Sequence, residues 1–189
     1  MLSTLQQFPE LDPRFLTRLG IYGLIDMDRP NDALQLVVAA RETAATRVPA
    51  LLRTWLLAAE AEAFAAVGDA ARCRDALAAA ARLLPARPDN SDTPYVSLDE
   101  WHLERWRGNI LAKLGDSTAL DSLMVALDGT PATFVRATAS LHCDIAQSLA
   151  VRGDRASALQ HAQKARTLAR QTGSIRQLRR IDAVMRKTA

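Results

Sequence analysis

The sequence of 189 residues lacks the features that mark several protein classes. It has two cysteines, Cys73 and Cys143, both inside helical patterns and without a CxxC motif or a histidine at metal-ligand spacing. This argues against a disulfide framework or a zinc site and favours a reduced, cytoplasmic chain. No stretch reaches the roughly 18 apolar residues of a membrane span, and residues 1–15 lack the basic and apolar regions of a signal peptide. We therefore expect a soluble cytoplasmic protein with no membrane partner.

Patterns typical of β-strands are scarce as well. Aromatic residues make up only 5% of the chain although 49% of it is hydrophobic, and alanine supplies much of that apolar total. No segment alternates apolar and polar residues over a sustained stretch, so no strand is predicted. Alanine favours helices and lets neighbouring helices approach closely. We therefore expect an all-α protein.

Familiar catalytic motifs are also missing. The sequence contains no glycine-rich phosphate loop, no GxSxG nucleophile motif and no HExxH motif. His102 and Glu104 stand two residues apart and would point to different faces of a helix, as would the adjacent His142 and Cys143. We interpret His142 and His161 as packing or surface residues. We expect no enzymatic activity, no cofactor and no metal.

A repeated dipeptide organises the chain. Glycine followed by aspartate occurs between amphipathic stretches at Gly68-Asp69, Gly115-Asp116 and Gly153-Asp154. Glycine can take the left-handed conformation that ends one helix, and aspartate can cap the next helix by accepting its free amide N–H groups. Each dipeptide therefore predicts a turn between two antiparallel helices.

The residues around these turns repeat in kind at fixed distances. A small residue stands seven positions before each glycine and a large apolar one four before, with further apolar residues five and twelve after. In chain order they are Ala61, Phe64, Cys73 and Ala80; Gly108, Leu111, Leu120 and Leu127; and Ala146, Leu149, Ala158 and Ala165. A weaker fourth copy replaces the glycine by Asp28 and has Ile21, Leu24, Ala33 and Ala40 at the same distances. We expect these positions to face the core.

The pattern sets helix bounds and shows one interruption. Helices are predicted near 13–26, 30–46, 49–67, 70–84, 98–114, 117–127, 131–151, 155–171 and 174–187. A loop rich in Pro, Asp and Asn at 85–97 breaks the periodicity. Loops of this length inside compact domains are often functional or mobile.

This spacing resembles the tetratricopeptide repeat (TPR), whose units of about 34 residues stack on their neighbours. Pro85, seventeen residues after Gly68, matches the proline that ends a TPR unit, and Leu57 matches a preferred position where Glu104 and His142 do not. The resemblance implies a TPR-like right-handed superhelix of about four antiparallel helix pairs in a single domain over 1–189. Its units would be 13–46, 49–84, 98–127 and 131–171, followed by a C-terminal capping helix at 174–187.

A narrower resemblance points to bacterial transcription regulation. The segments 52–56 with 68–69, 106–108 with 114–116, 134–137 and 173–176 are similar to the C-terminal TPR-like region of actinobacterial Xre-type regulators. In those proteins a helix-turn-helix domain precedes the array, and no such domain is evident in this sequence. The resemblance implies a ligand-sensing or oligomerisation module, with a stand-alone adaptor for a partner protein as the alternative and an enzyme accessory less favoured. A homodimer is expected.

The same resemblance places a binding groove on the first helices of successive units. On the helix at 98–114 one face carries residues at i, i+3, i+4, i+7 and i+11, namely His102, Arg105, Trp106, Asn109 and Lys113. Equivalent positions in the other units are Phe15, Arg18, Tyr22, Trp55, Glu62, Asp144 and Gln147. This set suits an anionic, peptide-like or small-molecule ligand. In the alternative interpretation, Trp106 packs against the long loop and the charges only solvate a helix face.

The positive charge of the chain is concentrated at its C-terminal end. The formal net charge is +3, and residues 164–189 hold eight Lys or Arg against one acid, Asp182. One interpretation is contact with phosphates or an acidic partner; the other is a solvated cap. We favour the cap because no DNA-binding motif accompanies the charge, and we expect no direct nucleic-acid contact.

Overall fold

The computed structural model describes residues 13–44, 48–87 and 98–188, without the side chains of 13–19, 176, 187 and 188. These ranges hold nine α-helices and no β-strand, which confirms the all-α prediction. The helices are α1 (Pro13–Asp26), α2 (Pro30–Ala44), α3 (Ala50–Ala66), α4 (Ala70–Leu83), α5 (Glu100–Lys113), α6 (Ala119–Gly129), α7 (Val135–Val151), α8 (Arg155–Gln171) and α9 (Ile175–Thr188). Most of the loop predicted at 85–97 lies outside the described residues.

The contacts divide the chain into two compact units, one ending at Asp99 and the other beginning at Glu100. In unit 1, α1 to α4 pack in succession, and α1 also contacts α3. In unit 2, α5 to α9 likewise pack in succession, while α7 also contacts α5 and α9. The expectation of one domain over 1–189 stays a prediction.

The turns take the predicted form. The glycines of the Gly-Asp turns have positive φ angles of 81° at Gly68, 69° at Gly115 and 82° at Gly153. Asp28, which replaces glycine in the weaker copy, also has a positive φ, at 58°. Asp and Asn tolerate this conformation better than other side chains do. The left-handed turn therefore confirms the prediction even where glycine is absent.

Backbone hydrogen bonds close the ends of these helices. After α3, the N–H of Asp69 donates to the carbonyl of Phe64 at 2.9 Å and the N–H of Gly68 donates to that of Ala65 at 3.1 Å. This pair of bonds is the Schellman pattern that satisfies terminal carbonyls. The Asp69 carboxylate then accepts the N–H of Arg72 at 2.9 Å and so caps α4.

The Gly115-Asp116 turn differs from the other two Gly-Asp turns. The Asp116 carboxylate accepts the N–H of Thr118 at 2.9 Å, and α6 begins only at Ala119. By contrast, α4 begins directly after Asp69, and α8 directly after Asp154. The longer connection after Gly115 changes the rotation of α6 about its own axis relative to that glycine.

The predicted core positions are buried in most copies. Confirmed are Ile21, Leu24, Ala33, Ala61, Phe64, Cys73, Ala80, Gly108, Leu111, Ala146, Leu149, Ala158 and Ala165. The prediction is wrong for Ala40, Leu120 and Leu127, which stay partly exposed. On α6 the buried stripe is Ala119, Leu123 and Ala126, one residue earlier than expected. One residue is about 100° of helix rotation, which the longer turn after Gly115 accounts for.

Gly108 shows why a small residue is needed where two helices meet. A Cβ atom built there would lie 2.6 Å from Cγ of Leu123 and 3.1 Å from its backbone nitrogen. The missing side chain therefore lets α5 and α6 approach closely. Among the helices described, none is long and apolar enough to cross a bilayer.

Candidate functional site

The polar face predicted on α5 is present and accessible. His102, Arg105, Trp106 and Asn109 are half-buried and Lys113 is exposed, while the buried residues Leu103, Gly108, Ile110 and Leu111 lie on the rest of the helix. Spacings of three, four, seven and eleven residues place the five side chains within about 100° of one another around the helix axis. We call these five residues the α5 face.

The charge on the α5 face has one sign. Arg105 and Lys113 are cationic, and none of its other three residues carries a carboxylate. The nearest acid in sequence, Glu104, lies on another side of the helix, with its carboxylate 3.6 Å from the guanidinium of Arg107. The α5 face therefore offers a guanidinium, an ammonium, an indole and an amide on one surface, which suits a ligand bearing carboxylates or peptide carbonyls.

Among the candidate residues of unit 1 whose side chains are described, two are buried. Trp55 is 5% exposed and Glu62 7% exposed, both on α3. Tyr22 on α1 is half-buried, and the side chain of Arg18 lies outside the described residues. Trp55 and Glu62 thus differ from the α5 face, because reaching them would require a ligand to displace packed groups.

Unit 1 holds a second buried acid that the sequence did not single out. Glu60 on α3 is 5% exposed, and its carboxylate lies 2.9 Å from the guanidinium of Arg41 on α2. Burial raises the pKa of Glu60 above its ordinary value, although the charge and hydrogen bond of Arg41 act to lower it. The ion pair therefore joins α2 to α3, although removing the Glu60 carboxylate from water still costs free energy.

Asp144, a predicted groove residue, is engaged within unit 2. It is 2% exposed on α7, and its carboxylate accepts a hydrogen bond from the guanidinium of Arg180 on α9. Burial alone would lower the pKa of Arg180, but the charge of Asp144 raises it above its ordinary value. Gln147, the other groove position on α7, is half-buried. Asp144 therefore anchors the last helix.

The same ion pair borders a buried thiol. Burial raises the pKa of Cys143 to about 11, with Asp144 adding to the rise and Arg180 opposing it. A thiol with this pKa stays protonated at neutral pH and is a poor nucleophile. Cys143 is thus part of the packing between α7 and the helices beside it.

The basic C-terminal end is divided between packing and surface. Ile181 and Val184 of α9 join a buried cluster with Ala162, Ala165 and Ala169 of α8. Arg180 bonds Asp144, and the guanidinium of Arg166 lies 3.6 Å from the carboxylate of Asp182. Among the described side chains of these two helices, the exposed cations are Arg155, Lys164, Arg170, Arg179 and Arg186. This agrees with a capping helix whose outer side is solvated.

Two histidines that were predicted to be packing or surface residues face each other. His142 on α7 and His161 on α8 bring their Nδ1 atoms to 3.0 Å, with ring centroids 5.0 Å apart and an angle of 61° between the planes. Burial, then the charges of His161 and Lys164, lower the pKa of His142 to about 4. Burial and Lys164 also lower the pKa of His161. Both rings are therefore neutral at pH 7, and one Nδ1–H donates to the other Nδ1.

A sequence signal for this pair exists. His142 stands eleven residues before Gly153 and His161 eight after it. Residues at similar distances on either side of a tight helix turn come level with each other, as Gly108 and Leu123 do around Gly115. Two histidines in such positions could have been predicted to meet.

The described parts of the chain contain no group of three or more His, Cys, Asp or Glu side chains arranged to hold a metal ion. No family model matches the chain, and no curated protein or solved structure matches it.

Proposed function

We propose that the chain is a non-catalytic helical-repeat binding module whose ligand contacts the α5 face. The observation that carries the proposal is the convergence of five half-buried or exposed side chains on one side of α5, with cations and no carboxylate among them. Residues of this kind on a rigid helix bind more precisely than residues on a loop. The partner class is a peptide, protein or small molecule that presents an anionic group.

The chemistry of the face favours a carboxylate close to an apolar group. Arg105 can donate two parallel hydrogen bonds to a carboxylate, and Lys113 adds a second positive charge two turns away. Trp106 offers a flat apolar surface between them. Because four of the five side chains are already half-buried, they lose less conformational freedom on binding than fully solvated side chains would.

The resemblance to Xre-type regulators suggests a biological role for ligand binding by this chain. We propose a TPR-like superhelical arrangement in which ligand binding to the α5 face changes helix packing and is passed to an attached helix-turn-helix domain or to a second copy in a homodimer. A stand-alone adaptor that holds a partner protein is the second candidate, since the α5 face would suit an acidic peptide segment equally well. A helix-turn-helix domain encoded in frame with this chain would favour the regulator over the adaptor.

A ligand screen tests the proposal directly. Small carboxylates and acidic peptides are screened by thermal shift, because a ligand that binds the folded state raises its stability. For any ligand found, the Arg105→Ala, Trp106→Ala double variant should bind at least about tenfold more weakly, which corresponds to about 1.4 kcal/mol. The control is Arg136→Ala, which removes an exposed cation from α7 outside the α5 face.

The control variant should bind as the wild type does. Circular dichroism first establishes that the double variant remains helical. Equal affinity of the wild type and a folded double variant would reject the α5 face as the site.

A further inference from the structure

The facing histidines of α7 and α8 carry an inference that is independent of the α5 face. We propose that His142 and His161 together bind a divalent late first-row transition metal ion, with Zn²⁺ as the probe, through their two Nδ1 atoms. Water would complete the coordination, since the described residues place no third His, Cys, Asp or Glu at the site.

The distance between the rings fits this use. Zinc binds imidazole nitrogen at about 2.0–2.1 Å, so two such ligands at a tetrahedral angle lie about 3.3 Å apart. The two Nδ1 atoms are 3.0 Å apart, within a few tenths of an ångström of that spacing. A small rotation of either ring would break the hydrogen bond and point both Nδ1 lone pairs at a metal ion between them.

The protonation states suit metal binding. A ligating imidazole must be neutral, and both histidines are neutral at pH 7 because burial lowers their pKa values. In the hydrogen-bonded pair one ring carries its proton on Nδ1. Binding moves that proton to Nε2 of the same ring, so both Nδ1 lone pairs face the metal without a net loss of protons.

Solvent access to the histidine pair and the charge beside it set the expected strength of metal binding. His142 is 9% exposed, but His161 is half-buried and leaves one side of the pair open to solvent. The ammonium of Lys164 is close enough to lower the pKa of both histidines. The same positive charge repels a metal cation, so it weakens the site.

Calorimetric titration of the tag-free full chain with Zn²⁺ at pH 7 tests the proposal. One zinc should bind per chain, and His161→Ala should weaken binding at least about 10-fold, since even residues behind metal ligands cost 10- to 100-fold when removed. His102→Ala is the matched control, because the chain has three histidines and this variant also leaves two. Its zinc affinity should equal that of the wild type.

Two further measurements keep the test independent of folding. Lys164→Gln, an exposed change, should strengthen zinc binding about two- to fivefold by removing the repulsion. In the wild type, nitrogen NMR of the imidazoles should show zinc shifting two Nδ1 signals and leaving those of His102 unchanged. The absence of zinc binding, equal affinity in a folded His161→Ala variant, or a zinc shift confined to His102 would each overturn the proposal.

Discussion

The two units bury their polar groups in different ways. In unit 1 the long helix α3 buries Glu60 against Arg41, whose own side chain is 44% exposed. In unit 2 the equally long helix α7 buries His142 and Asp144, whose partners His161 and Arg180 lie on the helices packed against it. Both units thus join packed helices through a buried acid, but in unit 2 the cation Arg180 is less exposed, at 32%, and a second polar pair, His142 with His161, is present.

The difference shows what positions the last helix. The hydrophobic effect between alanines and leucines is not directional, so burial alone does not select one position of a helix on its neighbour. The ion pair from Asp144 to Arg180 requires one position of α9 relative to α7. We therefore expect unit 2 to depend more on individual polar pairs than unit 1 does.

The largest effect is expected from breaking that ion pair. Arg180→Ala leaves the carboxylate of Asp144, 2% exposed, without its cation and should lower the free energy of unfolding by about 3 kcal/mol. The matched change in unit 1, Arg41→Ala, removes a more exposed cation and should cost about 1 kcal/mol. Urea unfolding followed by circular dichroism measures both.

A paired change gives the control for this comparison. Replacing both charges by amides, Asp144→Asn with Arg180→Gln, should recover part of the stability because no buried charge is left alone. Equal losses for Arg180→Ala and Arg41→Ala would show that the two units do not differ in this respect.

A smaller effect is expected from glycines inside helices. Gly108→Ala in unit 2 forces a methyl group to within 2.6 Å of Leu123 and should destabilise by about 1–3 kcal/mol. Gly23→Ala in unit 1 meets no described atom within 4 Å and should stabilise by about 0.5–1 kcal/mol through helix propensity. Thermal unfolding of the two variants should therefore shift in opposite directions; a shared direction would contradict the close contact of α5 and α6.

The smallest effect concerns the pH dependence of unit 1. Because burial raises the pKa of Glu60 in the folded state, its contribution to stability is fully present below the unfolded value near 4.5 and is lost as the pH rises through the folded value. Glu60→Gln should reduce this loss of stability between acid and neutral pH. Arg41→Ala should enlarge it, since Arg41 acts to lower that pKa. The midpoints of urea unfolding at several pH values measure this pH dependence. If the pH dependence of Glu60→Gln equals that of the wild type, the raised pKa of Glu60 is contradicted.

The helices were predictable because their ends carry local signals. The helix predicted at 155–171 is observed as Arg155–Gln171, between Asp154 and a left-handed Gly173. The start of α7 was predicted at 131 but lies at Val135, because the N–H of Phe134 bonds the carbonyl of Pro131 in a preceding turn. The rotation of α6 was missed for a similar reason, since Asp116 bonds Thr118 within the turn.

The candidate site was predictable only where one helix supplies it. The α5 face follows from helical spacing alone, so its grouping could be predicted from the sequence. Burial of Trp55 depends on helices that pack on α3, and the partner of Asp144 lies 36 residues further along the chain. A pattern read along one helix does not reveal which other helix covers it.

The central claim is that ligand binding occurs on the α5 face of unit 2. Hydrogen exchange followed by mass spectrometry, with and without a ligand found in the screen, locates the binding directly. We predict slower exchange concentrated in residues 100–113, with helices α1 to α4 unchanged. Slower exchange confined to α3 around Trp55 and Glu62, or no change in α5, would contradict the account.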